Sequence, residues 1–248
     1  MAYDALLAET VWLSGAAGED IESYTARPLQ AGPLGGMVVI HHMPGYDAAS
    51  KEITRRFATL GYTAICPNLH WREGRGAPPE EAAATSRAAG GVPDDRLVAD
   101  VAGALTWLRR LSNSNGRVGV IGYCSGGRQA FLAACSLPLD AAVDCYGAFI
   151  VNPPPAELPL KVTPIIDRVD SLSCPLLGLF GAEDTNPSPD EVAELDRRLS
   201  GAGKDHEFHV FENAGHAFFA VDRPQHYRAA AAVEGWRLVA DFLGRHLA

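Results

Sequence analysis

The stretch that decides the fold is Arg117-Val-Gly-Val-Ile-Gly-Tyr-Cys-Ser-Gly-Gly127. A β-branched run over 117–122 ends in Gly122-Tyr123-Cys124-Ser125-Gly126, and a helical pattern follows over 129–137. This is the strand–turn–helix spacing of a nucleophile elbow, G-x-nucleophile-x-G, with cysteine where serine is more usual. The glycines two residues before and two after Cys124 answer a steric demand. A tight turn folds the chain over itself, and Cβ atoms there would collide. The same turn sets the sulfur at a helix N-terminus, where the macrodipole and free N–H groups favour a thiolate. An ordinary tight loop with Cys124 as filler is the bland reading. The strand before and the helix after weigh against it. The spacing Gly122-x-x-x-Gly126-Gly127 does not give the G-x-G-x-x-G of dinucleotide binding.

Working outward, strands and helices alternate. Residues 36–42 read as a buried strand closed by Pro44-Gly45. The pattern predicts a helix over 50–60, with Ser50 as its N-cap and Gly61 past its end, then a strand over 62–66. Residues 71–93 form an irregular excursion with a short helix near 80–89. An amphipathic helix follows over 94–111, carrying Leu97, Val101, Leu105 and Leu108. Strands are predicted at 141–146, 174–180 and 206–211, and helices at 191–199 and 226–247. Parallel strands need such crossovers, so the class is α/β: a mostly parallel sheet with helices on both faces. No composition shift marks a linker, and 1–248 reads as one domain.

The acidic balance, Lys+Arg 21 against Asp+Glu 30, disfavours phosphate backbones as partners. The pairs Arg55-Arg56, Arg109-Arg110 and Arg197-Arg198 sit in amphipathic patterns and read as solvated helix faces. Cys66, Cys124, Cys135, Cys145 and Cys174 fit neither a disulfide framework nor zinc pairs. No apolar run reaches the length of a membrane span, and the N-terminal MAYDALLAETVWL lacks the basic start of a signal peptide. A cytoplasmic setting, with no membrane or nucleic acid partner, is the expectation.

A nucleophile needs a base, and the base an orienter. On a sheet of this kind the order is nucleophile, acid, histidine. Asp184 follows the strand predicted at 174–180, with Glu183 as the weaker choice, and His216 follows the strand at 206–211. Both then lie at the sheet edge where open α/β folds hold ligands. His41 and His42 end a strand but lack a third ligand at useful spacing, so no metal or cofactor is expected. His206 and His209 fall on opposite faces of one strand, and His226 and His246 read as surface residues of the last helix. Trp71, Arg72, Arg75 and Arg87, in the excursion, could meet an aromatic or anionic substrate.

The segments VVIHHMPG, ITRRFATLGYTAICPNL, GRVGVIGYCSGGRQAF, LLGLFGAEDTNPSP and FENAGHAF together resemble the dienelactone hydrolase (carboxymethylenebutenolidase) family of α/β-hydrolases. The resemblance runs from about Gly36 to the C-terminal helix. It implies the α/β-hydrolase fold, Cys124 as nucleophile, His216 as general base and acid, and Asp184 as its orienter. It also implies an oxyanion hole from the backbone N–H groups of Met43 and Ser125. Two positions depart from the family: His42 stands where dienelactone-opening members carry glutamate, and Ala220 where they carry an arginine for the substrate carboxylate, with Arg223 three residues late. Arg87 is the position that answers to a second such arginine. His42 is a candidate for proton handling or substrate contact. The expectation is a hydrolase of a small activated ester or lactone, working through an acyl-enzyme as monomer or homodimer. A thioesterase or acyl transferase of the same fold is the alternative, and a non-catalytic small-molecule binding protein the alternative of another class.

Overall fold

The computed structural model describes residues 5–29 and 32–248. The first four residues of the N-terminal stretch read above, Asp4 among them, lie outside these.

Among the described residues eight strands make one sheet in the order β1-β2-β4-β3-β5-β6-β7-β8. Strands β3 (Leu34–Ile40), β4 (Thr63–Pro67), β5 (Ser114–Tyr123), β6 (Ala141–Cys145), β7 (Leu176–Gly181) and β8 (His206–Phe211) run parallel. Two further strands, β1 (Leu6–Ser14) and β2 (Asp20–Pro28), join antiparallel beside β4. The sequence reading assigned neither. The inward-facing positions of β2 include Ser23 and Thr25, both buried, so apolar alternation is weak there. Thr25 satisfies its hydroxyl by donating to the Ala64 carbonyl. On β1 only Leu13 is buried, and Trp12 is exposed.

The pleat sends alternate residues of each central strand to opposite faces. Val38, Ile40, Val118 and Val120 pack on one side under α3 (Asp94–Arg110), α4 (Ser125–Ala134) and α5 (Pro189–Gly201). Met37, Val39, Ile121 and Val143 pack on the other under α1 (Ala48–Thr59) and α6 (Ala229–His246). Apolar periodicity placed all five of these helices, with shifts at their ends. The N-cap of α1 is Asp47, not Ser50: the Asp47 side chain accepts the Ser50 N–H at 2.8 Å. Helix α4 starts at Ser125 rather than 129, because Gly126 and Gly127, which give no apolar periodicity, belong to its first helical turn. Helix α6 starts at Ala229, which leaves His226 in the preceding turn.

The excursion expected over 71–93 is a run of turns followed by α2 (Pro79–Ala89). Between β6 and β7 there is no crossover α-helix. That connection is proline-rich coil with one short 3-10 helix, Ile166–Ser171.

Candidate active site

Strand β3 lies between β4 and β5, so the chain turns in opposite directions from β3, and a crevice opens at the C-terminal strand ends. Cys124 sits there, between β5 and α4, at φ 58° and ψ −120°. A non-glycine residue reaches this region only when its surroundings hold it. Two hydrogen bonds do so, and two glycines leave the room for it. The Cys124 N–H donates to the Cys145 carbonyl at 3.0 Å, and the Gly127 N–H donates to the Cys124 carbonyl at 2.9 Å. A Cβ at Gly122 would collide with the Gly126 carbonyl, and one at Gly126 would lie 2.6 Å from the Ile40 carbonyl.

Asp184 follows β7 and is buried. Its Oδ2 is 2.8 Å from His216 Nδ1, and its Oδ1 accepts the Asn186 N–H at 2.9 Å. Neighbouring Glu183 is exposed. His216, after β8, is hydrogen-bonded to Asp184 and lies close enough to Cys124 for the sulfur to act on its ring. Burial alone would lower its pKa. The bonds and charges of Asp184 and Cys124 outweigh that and raise it from 6.5 to about 10. The ring of Tyr146 packs edge-on against the imidazole, centroids 5.1 Å apart.

Cys124, Asp184 and His216 line one cavity of about 430 Å³, together with Met43, Ser125 and Arg87. Its apolar wall includes Phe149, Leu158, Leu160 and Val162. Six sequence-derived candidates, Met43 and Ser125 among them, thus line one space.

Four other candidates lie elsewhere. Trp71 is buried, edge-on to Trp12. Arg72 is held by the buried Asp100, at 2.8 Å through two nitrogens, and by Glu19. The turn that opens the excursion folds both side chains toward β1 rather than toward Cys124. His42 lines a separate cavity, its Nε2 2.6 Å from Asp47 Oδ2. Burial would raise the Asp47 pKa, but the His42 contact and the Ser50 N–H hold it down, to about 2. Arg75 stacks over Trp71, centroid distance 5.2 Å.

His41 is a structural residue: its Nδ1 donates to the His42 carbonyl and its Nε2 accepts the Leu69 N–H. Burial holds its pKa down at about 4. No group of three or more His, Cys, Asp or Glu side chains among the described residues is arranged to hold a metal ion. All five cysteines are free.

The sequence reading missed two buried polar residues near the elbow. Arg128 is bidentate to Asp94, at 2.7 and 2.9 Å, and donates to the Thr163 carbonyl. It ties α4 to α3 and to the coil that walls the cavity. Asp144, on β6, accepts the Gly147 N–H at 2.7 Å, and its other oxygen has no partner. Burial pushes its pKa up to about 7. A carboxylate inside an otherwise apolar strand, AAVDC, is the signal that could have found it.

A sheet of this order, with a strained residue after β5, an acid after β7 and a histidine after β8, defines the α/β-hydrolase class. Residues 21–247 match the model of the dienelactone hydrolase family, and the chain belongs to that family. It is 33% identical over 235 residues to a protein of Escherichia coli K12 provisionally named a carboxymethylenebutenolidase, covering 92% of this chain and 84% of that one. A crystal structure of a provisionally named dienelactone hydrolase from Klebsiella pneumoniae superposes with a TM-score of 0.86 at 30% identity, covering 98% of this chain and 100% of that one. The fold is shared too with a dienelactone hydrolase-like promiscuous phosphotriesterase from metagenomic libraries, TM-score 0.80 at 20% identity, covering 98% of this chain and 100% of the other.

The chain is accordingly an enzyme of a hydrolase family. No helix of the described residues is long and apolar enough to cross a membrane.

Proposed function

We propose that the protein hydrolyses a small activated ester or lactone through a cysteinyl acyl-enzyme. The reading is carried by one observation: His216, held by Asp184, shares the wall of a single cavity with Cys124. In this scheme the Cys124 thiolate attacks the carbonyl carbon. The oxyanion is met by the N–H groups of Met43 and Ser125, a contribution of roughly 3–4 kcal/mol per donor in comparable sites. The tetrahedral intermediate collapses, and the leaving oxygen takes its proton from His216.

Forming the thioester removes the thiolate charge. One of the interactions that raises the His216 pKa is then gone, and the imidazolium becomes a stronger acid as the leaving group needs a proton. In the second half His216, now neutral, takes a proton from water. The resulting hydroxide attacks the thioester, and Cys124 departs as thiolate beside the imidazolium, which restores the starting pair; the product acid gives its proton to water.

Thiolate leaves a tetrahedral intermediate more readily than an ordinary alkoxide. Substrates whose own leaving group is stabilised, such as enol lactones, aryl esters or thioesters, therefore partition forward. Arg87 at the cavity wall favours a substrate that carries a carboxylate. The test is a series of activated esters and lactones with wild type beside Cys124→Ala, with mass spectrometry of the quenched enzyme. A covalent acyl adduct confined to Cys124, and faster turnover of 4-nitrophenyl than ethyl esters, are expected. Full activity in Cys124→Ala would overturn the reading.

A further inference from the structure

A second cavity, of about 270 Å³, lies on the α1 and α6 side of the elbow and shares no lining residue with the one that holds Cys124. Its walls are mostly apolar and aromatic: Val39, Ile53, Tyr146, Phe219 and Trp236. Several lining groups are polar and unused by the chemistry proposed above, His42, Tyr123 and Arg56 among them. His42 is oriented by Asp47 through Nε2. The Asp47 carboxyl is held ionised, so Nε2 carries the proton and Nδ1 is left as an acceptor. Tyr123 is 4% exposed, and its hydroxyl is buried without a hydrogen-bond partner, within the field of Arg56. Arg56 itself lies 4.0 Å over the Trp236 ring.

Charge decides the ligand class. Against the one cation, Arg56, the lining sets Glu52 and Asp222, with ionised Asp47 behind His42. An anion is disfavoured, and a neutral ring bearing one hydroxyl fits.

We propose that this second cavity is a binding site for a small neutral phenol, its hydroxyl donating to His42 Nδ1, its ring packed among Phe219, Tyr146 and Trp236. The site is independent of the nucleophile chemistry. It is not silent toward it, because Tyr146 forms a wall of this cavity and packs edge-on against His216.

The test is calorimetric titration of 4-methylphenol into protein whose Cys124 has been alkylated, with a soaked crystal to locate the ring. Binding should persist on alkylation within about threefold, and 4-methylbenzoate should bind at least about tenfold more weakly. His42→Phe and, separately, Ala49→Trp, which fills the cavity from α1, should each weaken binding by about tenfold or more. Loss of binding on alkylation would assign the phenol to the Cys124 cavity. Equal or tighter binding of 4-methylbenzoate, binding unchanged in both variants, or density at crystal concentration without a signal in solution would each overturn the site. Failure of ester hydrolysis would leave these readouts unaffected.

Discussion

The carboxyl of Asp144 lies directly beneath Gly127: a Cβ on that glycine would collide with Asp144 Oδ1, which already accepts the Gly147 N–H. A buried acid thus props the first turn of α4, one residue away in sequence from the Cys145 carbonyl that anchors Cys124. Its folded pKa, about 7, lies above the unfolded value near 4. As pH rises from about 4 to 7 the unfolded chain ionises first, so the fold loses stability across that window and then levels off. Asp144→Asn keeps an acceptor for Gly147 and removes the titration. Denaturant melts should show the variant gaining on wild type between pH 4 and 8, by up to about 4 kcal/mol. Parallel pH dependence of the two proteins would refute this.

Asp184→Asn should lower the pKa of His216 from about 10 toward its ordinary value, because a raising hydrogen bond is lost. The raised folded value stabilises the fold fully below about 6.5, and that contribution fades as pH climbs toward 10. In the variant this alkaline loss should shrink. Titration of the imidazole by NMR reads the shift directly, and ester turnover should fall by about 10²- to 10⁴-fold.

Gly122→Ala places a methyl group against the Gly126 carbonyl, a contact between two stretches of backbone that cannot swing away. A loss of about 3 kcal/mol or more is expected in a melt, or failure to accumulate folded protein. Near-wild-type stability would mean the turn is looser than its geometry.

Asp94→Ala strands a guanidinium that is buried at Arg128. Since Asp94 itself is 33% exposed, water softens the penalty, and about 2 kcal/mol is expected rather than the 3–5 of a fully enclosed pair. Denaturant midpoints measure it.

His42→Ala should leave the alkylation rate of Cys124 within about twofold, since the imidazole lines the other cavity and is engaged by Asp47. A larger fall in that rate would restore a proton-handling role for His42.

The parallel centre of the sheet was legible because its strands, buried on both faces, read as continuous apolar runs such as Met37–Ile40 and Val118–Ile121. The elbow, Asp184 and His216 were legible because each follows such a strand. The antiparallel pair β1 and β2 was not, since the polar residues Ser23 and Thr25 occupy buried, inward positions and break apolar alternation. Trp71 and Arg72 were placed near the substrate because the excursion leaves a strand on the same sheet edge as Cys124, whereas a turn and the buried Asp100 draw them away. Arg128 and Asp144 carry no local periodicity, so only the packing of α4 on α3 and β6 shows what they hold.

The link from β6 to β7, left without a crossover α-helix, has its own bearing on how new specificities arise. Leu158, Leu160 and Val162 reach the cavity from a ribbon that takes no part in the sheet ladder. Substitutions along it can reshape which acyl groups are admitted while the strands beneath remain undisturbed, so a library confined to 156–163 should diversify selectivity with little cost in melting temperature.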